Sequence, residues 1–367
     1  MVLTNRFAGE PETSNYDGFD VYRLPLLRGG RSVKYSVLLR PEVLLTRFMR
    51  KCMDWADVIY VPRFWYSAIP LARIRRKPVI VHFHDYIAIC PLANLYDSDA
   101  NRICRRRGGC SSRCVYTYER KRRSPAKAAQ SALLNLTVWP LLRRLSDMSN
   151  AIVCVSNAQR KALVEKRPSL ISKIKVLPNP VPPVEHVGIE GDGFGYFGGT
   201  SPSKGFVVLL NALRHLGRLS YTVHGTNFQN PQAFSKMLSK WGFVAYGRLR
   251  PEEIARLYPK IRVVLVPSVV PETFSYVVAE ALLQGRLVIA SRVGAIPELV
   301  QGCKGVWLFD PGDFSQLAEK MKLVHDLTDE TACDLGLNNR ETFAKLIDNN
   351  RILRGFLELC NSLTSAS

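Results

Sequence analysis

Two carboxylates stand eight residues apart in "VPSVVPETFSYVVAEALLQGRLVIAS", Val266 to Ser291. Glu272 lies in a proline-flanked loop, and Glu280 falls in the middle of an otherwise apolar helical stretch. A carboxylate can grip vicinal hydroxyls through paired, charge-assisted O–H···O⁻ hydrogen bonds. Just before them, "IRVVLVPS" (Ile261 to Ser268) reads as a buried strand ending in a turn. The helix behind it is predicted to start near Thr273 and to be capped by Gly285. Amides around Phe274, Ser275 and Tyr276 would then be unbonded at the helix N-terminus, where the helix dipole also favours a phosphate. With a diphosphate there, one carboxylate would meet a nucleotide's ribose and the other a sugar. The plain alternative is a solvated loop glutamate and a helical glutamate that snorkels to the surface.

The elements that would position these groups follow from length and patterning. A chain of 367 residues is too long for one ordinary core and suits two domains. Apolar runs alternate with amphipathic segments. Strands are predicted at Val21–Leu24, Val58–Val61, Val79–His84, Ala151–Val155 and Lys175–Leu177. After the proline-rich "PNPVPPVEH" (Pro178 to His186) come Gly195–Phe197, Tyr221–His224, Val263–Val266, Leu287–Ala290 and Val306–Phe309. Buried β-branched runs between helices predict parallel sheets covered on both faces, an α/β class. The proline-rich segment reads as a linker between two doubly wound domains, with a ligand cleft at the carboxyl ends of their strands. The expected division is 1–180, 181–345 and a final helix, 346–367, crossing back to the first domain.

Hydrophobic content of 47% and charged content of 22% exclude disordered and fibrous classes. No apolar run reaches a membrane span and no signal peptide opens the chain, so a cytoplasmic, soluble or peripheral protein is expected. The net charge of +20 is concentrated in "RICRRRGGCSSRCVYTYERKRR", where nine of the 22 residues from Arg102 to Arg123 are basic. Such a field suits a solvated face, an anionic membrane surface or nucleic acid. The absence of a helix-turn-helix, zinc-finger or aromatic-studded motif argues against the last.

The long segment "VPSVVPETFSYVVAEALLQGRLVIASRVGAIPELV" closely resembles the signature of the retaining glycosyltransferases of family 4. The resemblance continues through "YFGGTSPSKGFVVLLNAL", "VAYGRLRPEEIARLYPKIRVVLVPS", "VCVSNAQRKALVEK" and "GVWLFDPGDFSQLAEKM". It implies the two-domain GT-B fold and a nucleotide-sugar donor, a UDP- or GDP-sugar, held by the C-terminal domain. By that likeness Glu272 holds the transferred sugar, Glu280 the ribose, and Lys204 of "SPSKG" the diphosphate. The lysine acts as a point charge on the departing group, where negative charge grows. The family usually has an arginine five residues before that lysine. Gly199 stands there instead, so clamping is weaker or is supplied by another residue such as Arg248. "VIVHFHDYIAICP" resembles the strand that ends in a His-Asp pair, which brings His84 and Asp85 to the cleft. His82 points to the same face as His84 if the strand is regular, and reads better as a core histidine. A front-face, oxocarbenium-like mechanism without a bound metal is implied, as is a glycan or lipid-linked acceptor. "DSD" at Asp97–Asp99 looks like a metal-binding Asp-x-Asp of another fold and is read as coincidence.

Cys90, Cys104, Cys110 and Cys114 fall within the basic insert, residues 90–123. Their spacings of 13, 5 and 3 intervening residues match no strong zinc pattern. Independent thiols, a structural zinc and disulfides all stay open, although some polysaccharide-type members of the family carry a similar insert. The N-terminus departs from the resemblance. "VLTNRF" is similar to the end of the family's second strand and "DGFDVYRLP" to its third, with "RGGRSVKYSVLLR" (Arg28 to Arg40) too late to supply a first strand, Gly-rich loop and helix. A truncated chain lacking that unit is expected. A catalytically dead, glycosyltransferase-like binding protein is the alternative to an enzyme.

Overall fold

The computed structural model describes the chain except for residues 7–8, 25–45, 63–64, 98–99, 101, 105–111, 185–187, 218–219 and 366–367. The segment Arg28–Arg40 therefore lies outside the described residues, as do Cys110, Arg105–Arg107 and Asp99.

The N-terminal strands are β1 (Val2–Asn5), β2 (Thr13–Tyr16), β3 (Phe19–Leu24), β4 (Ile59–Val61), β5 (Val79–Phe83), the hairpin β6 (Tyr96–Asp97) and β7 (Arg102–Ile103), β8 (Ala151–Cys154) and β9 (Ile174–Val176). Their helices are α1 (Arg47–Trp55), α2 (Ala68–Ile74), α3 (Ser112–Arg120), α4 (Pro125–Asp147) and α5 (Asn157–Lys166). A four-stranded sheet runs in the order β4-β5-β8-β9, all neighbours parallel. Every residue of β5 and β8 is buried, which is what their unbroken apolar, β-branched sequences require. A separate three-stranded sheet, β1-β3-β2, pairs β1 with β3 in parallel and β3 with β2 as an antiparallel hairpin. Among the described residues no ladder joins the two sheets.

The C-terminal domain is more regular. Its strands are β10 (Gly193–Tyr196), β11 (Val223–Gly225), β12 (Phe243–Ala245), β13 (Ile261–Val266), β14 (Leu287–Ser291) and β15 (Val306–Phe309). They form one parallel sheet in the order β12-β11-β10-β13-β14-β15. The helices are α6 (Phe206–Leu216), α7 (Pro231–Leu238), α8 (Pro251–Leu257), α9 (Tyr276–Leu283), α10 (Ile296–Leu299), α11 (Phe314–His325) and α12 (Asp329–Leu346). The chain moves outward from β10 to β12, then returns to β13 and moves the other way. The order reverses between β10 and β13, and a doubly wound sheet opens its ligand crevice beyond the carboxyl ends of such a pair.

The final helix, α13 (Asn349–Thr364), follows the C-terminal domain but packs on the N-terminal one. Its Leu359 joins Ile80, Ala151 and Val153 in a common cluster, with Phe356, Cys360 and Leu363 alongside. Asn349 fastens the turn before it, donating to the Val181 carbonyl at 2.8 Å and accepting from the Val181 amide at 3.0 Å. Fully buried Arg286 ties the linker to the C-terminal core, donating to the carbonyls of Gly188 at 3.0 Å and Tyr258 at 3.1 Å.

Candidate active site

The two central strands deliver the two key side chains. Lys204 stands in the turn between β10 and α6, and Glu272 in the loop between β13 and α9. They meet at 2.8 Å, Lys204 Nζ donating to Glu272 Oε1, with Glu272 largely buried and Lys204 half-exposed. Ser268 Oγ donates to the same oxygen at 2.6 Å. Two glycines make this approach feasible. Gly205 has φ +79, and a Cβ there would lie 1.7 Å from the Pro267 carbonyl oxygen. Gly294 has φ +53, and a Cβ would lie 2.1 Å from the Glu272 carbonyl oxygen. Only glycine fits both the left-handed conformation and the space. The next amide, Ala295 N, donates to that Glu272 carbonyl at 2.8 Å and fixes the loop.

Helix α9 starts at Tyr276, three residues later than the sequence suggests, with Ser275 as its extended N-cap. Thr273 is held back because its Oγ1 donates to the His84 carbonyl at 2.8 Å. The Ser275 side chain makes no cap bond, so the first-turn amides of α9 have no intrahelical acceptor. Tyr196, Phe197, Gly198, Lys204, Ser268, Glu272 and Ser275 line a cleft at this helix end. Phe274 is buried in the core beside it, edge-on to Tyr276, and does not line the cleft. Glu280 sits half-buried one turn further along, and burial raises its pKa above the ordinary carboxylate value. No donor among the described residues reaches its carboxylate, so a ligand hydroxyl would find both oxygens available.

His84 follows β5, and it is its carbonyl that meets the Glu272 loop, through Thr273. Its ring stacks on His82, with centroids 4.2 Å apart. His82 is a packed residue, as its type suggested, but not an inert one. Its Nδ1 is 2.6 Å from the Tyr60 hydroxyl, while its Nε2 is buried without a partner. Burial, and then the charge of His84, push the His82 pKa down to about 3. Asp85 Oδ1 accepts from Ile87 N at 2.9 Å, which turns the chain sharply beyond the strand.

Arg248 stands exposed between β12 and α8 and does not line the cleft described above. A ladder of backbone bonds nevertheless brings its loop close to Gly199. Gly199 N donates to Thr226 O at 3.1 Å, and Asn227 N donates to Gly247 O at 3.0 Å. Cys90 is buried in the N-terminal core, whereas Cys104 and Cys114 are half-buried. Among the described residues no three His, Cys, Asp or Glu side chains come close enough together to hold a metal, and Cys110 lies outside them. Asp97 belongs to the β6–β7 hairpin, and Asp99 is outside the described residues.

Sequence reasoning missed three supporting residues. Fully buried Gln159 donates from Nε2 to the carbonyls of Phe83 and Asp85, both at 3.0 Å, and so holds the end of β5. "SNAQ", Ser156 to Gln159, is the Ser-x-x-Gln pattern of a capping box, which was a legible signal. Ser268 and Glu298 fall in the signature's Pro-Ser strand end and Gly-x-x-Pro-Glu loop, but neither was read as a site residue. The Glu298 carboxylate crosses between domains and accepts from the amides of Asn157 and Ala158, each at 3.1 Å, at the start of α5.

Two α/β domains built on parallel sheets, with a lysine–carboxylate pair at the switch point of the second, define a protein of the GT-B type. The chain belongs to Glycosyltransferase Family 4, whose family model matches residues 1–185, just over half of the 367-residue chain. A second model, Glycosyl transferases group 1, matches residues 191–326. Among characterised relatives, sulfoquinovosyl transferase SQD2 of Arabidopsis thaliana is 35% identical over 95 residues, 25% of this chain and 18% of that protein. Lipopolysaccharide 1,2-N-acetylglucosaminetransferase of Salmonella typhimurium is 30% identical over 131 residues, 32% of this chain and 34% of that protein. The matches thus span about a third or less of those relatives. Sucrose-phosphate synthase from Thermosynechococcus elongatus has the same fold at TM-score 0.70 and 17% identity, covering 100% of this chain and 89% of that one. HepE of Anabaena, solved with UDP and glucose, superposes at TM-score 0.62 and 18% identity, covering 94% and 87%.

Proposed function

We propose that this chain is a retaining glycosyltransferase that moves a hexose from a UDP- or GDP-sugar to a glycan or lipid-linked acceptor at the cytoplasmic face of a membrane. The observation that carries the reading is the Lys204–Glu272 pair beside the uncapped N-terminus of α9, with unpartnered Glu280 one turn beyond. Helix amides and Lys204 would take the diphosphate, and Glu280 would accept from the ribose hydroxyls. Arg248, exposed on a loop that backbone bonds run toward Gly199, would add the missing cation only by turning its side chain toward the diphosphate. Lys204 donates to Glu272. Donor binding would exchange that contact, leaving the carboxylate for the sugar hydroxyls and the ammonium for the leaving diphosphate. Fixed charges aimed at the departing oxygen are where such a site gains its rate. His84 closes the sugar side from the opposite domain. UDP in the HepE structure agrees with a uridine donor, and a lipopolysaccharide-modifying relative agrees with a cell-envelope glycan acceptor. The membrane part rests on the basic insert and the net charge of +20. Among the described residues no helix is long and apolar enough to cross a bilayer, so attachment would be peripheral.

Titrating UDP and GDP by calorimetry into two variants tests the assignment. Glu280→Ala should weaken nucleotide binding by about tenfold or more, the worth of a charge-assisted bond. Glu272→Ala should keep nucleotide affinity and lose transfer. Unchanged affinity in the first variant together with intact transfer in the second would overturn the roles.

A further inference from the structure

Helix α4 spans 23 residues, and its two faces carry similar side chains. One face is buried against the N-terminal core through Val138, Trp139, Leu142 and Leu145. On the other, Leu133 is 68% exposed, Leu136 59% and Leu141 47%. Counted at 3.6 residues per turn, these leucines share one outer stripe with Ala126, Ala129 and Pro140. Exposed Gln130 and Thr137 share the stripe, and among the described residues its three leucines stay largely uncovered. Its two ends are cationic. Arg120, Lys121, Arg122 and Arg123 precede the helix and Arg144 closes the stripe, and no Asp or Glu occurs between Glu119 and Asp147.

We propose that this stripe is the membrane-contact surface of the protein, lying in the interface of an anionic bilayer with its leucines among the acyl chains and the arginines at both ends on lipid phosphates. This deepens the membrane-face reading above and rests on it. Charge decides the occupant. A second copy docking on the stripe would bring like-charged clusters together, whereas an anionic surface neutralises both ends. The pattern is that of an interfacial helix rather than a spanning one, because its inner face is already committed to the core. It also moves the main contact away from the Arg102–Arg113 part of the insert and onto α4.

Vesicle co-sedimentation without any donor sugar tests the proposal, using phosphatidylcholine alone and phosphatidylcholine with phosphatidylglycerol. The chain should bind the anionic vesicles preferentially. Replacing Leu133→Gln, Leu136→Gln and Leu141→Gln together should weaken binding by about a hundredfold even at low salt. Reversing Arg120→Glu, Arg122→Glu and Arg144→Glu should weaken it most at low salt and least at high salt. An unchanged melting temperature is expected in the leucine variant, since those side chains leave the core intact. Wild-type binding with an equally tight leucine variant would overturn the stripe while leaving the membrane reading standing. No wild-type binding would overturn both. A wild-type dimer that the leucine variant turns into monomer, with vesicle binding unaltered, would assign the stripe to a second copy instead.

Discussion

His82 stays uncharged in the folded chain across the neutral range, because burial and the neighbouring His84 hold its pKa near about 3. The unfolded chain takes up that proton near pH 6.5, so the native state falls behind in protons as pH drops. A depressed histidine stabilises the fold above its unfolded pKa, and that stability is lost between pH 6.5 and about 3. Replacing His82→Gln should therefore flatten the acid loss between pH 7.5 and 5 by on the order of 1–2 kcal/mol, read from urea unfolding at both values. His224, lowered by burial and by Lys260, still titrates in the variant and contributes the remainder. If the acid slope is the same with and without His82, its burial is not what sets the slope. At this scale the placement of the residues was legible where type and spacing constrain each other. Glu272 and Glu280 bracket the start of α9, and Lys204 follows a Gly-rich strand end. The Tyr60 hydroxyl on His82 was not legible, since a lone tyrosine 22 residues upstream has no periodicity to reveal it.

At the scale of elements, Gly294 is the joint on which the Glu272 loop turns. An alanine there would be strained by φ +53 and would drive its methyl into the Glu272 backbone. Gly294→Ala should cost about 2 kcal/mol or more of stability and displace the carboxylate from Lys204. Urea denaturation together with transfer rate would check it, the rate falling as in Glu272→Ala while UDP affinity holds. Buried parallel strands were readable because both faces are covered and the apolar run is therefore continuous, as in "IRVVLV". Shorter elements were read unevenly. Three-residue β4, β9 and β11 were found, whereas three-residue β12 and the two-on-two β6–β7 hairpin were missed. The start of α9 slipped by a turn because a contact from the other domain, Thr273 on His84 O, holds the chain out of the helix. Local propensity cannot encode a partner 189 residues away.

At the scale of the whole molecule, the contacts that couple the domains among the described residues include Thr273 on His84, Glu298 at the start of α5, Val155 in the second domain's core cluster, and α13 on the N-terminal sheet. The cleft proposed to take the donor is lined by residues from Tyr196 to Val277. Ending the chain after Asp348 should therefore keep UDP affinity by calorimetry while exposing Ile80, Ala151 and Val153, seen as new binding of a hydrophobic dye. Lost UDP affinity with no new dye binding would show that α13 supports the cleft rather than the N-terminal sheet. The same helix has a consequence for synthesis. Strands β5 and β8 leave the ribosome long before residues 349–364, so the outer face of the first sheet must wait, uncovered, while the entire second domain is made. The first domain cannot mature on its own schedule as N-terminal domains generally do. Translation speed through the second half thus sets how long that apolar face stays uncovered. A nick in the short turn at Ile347–Asp348 would leave α13 held to the first domain by its packing alone, through Leu359 and its neighbours.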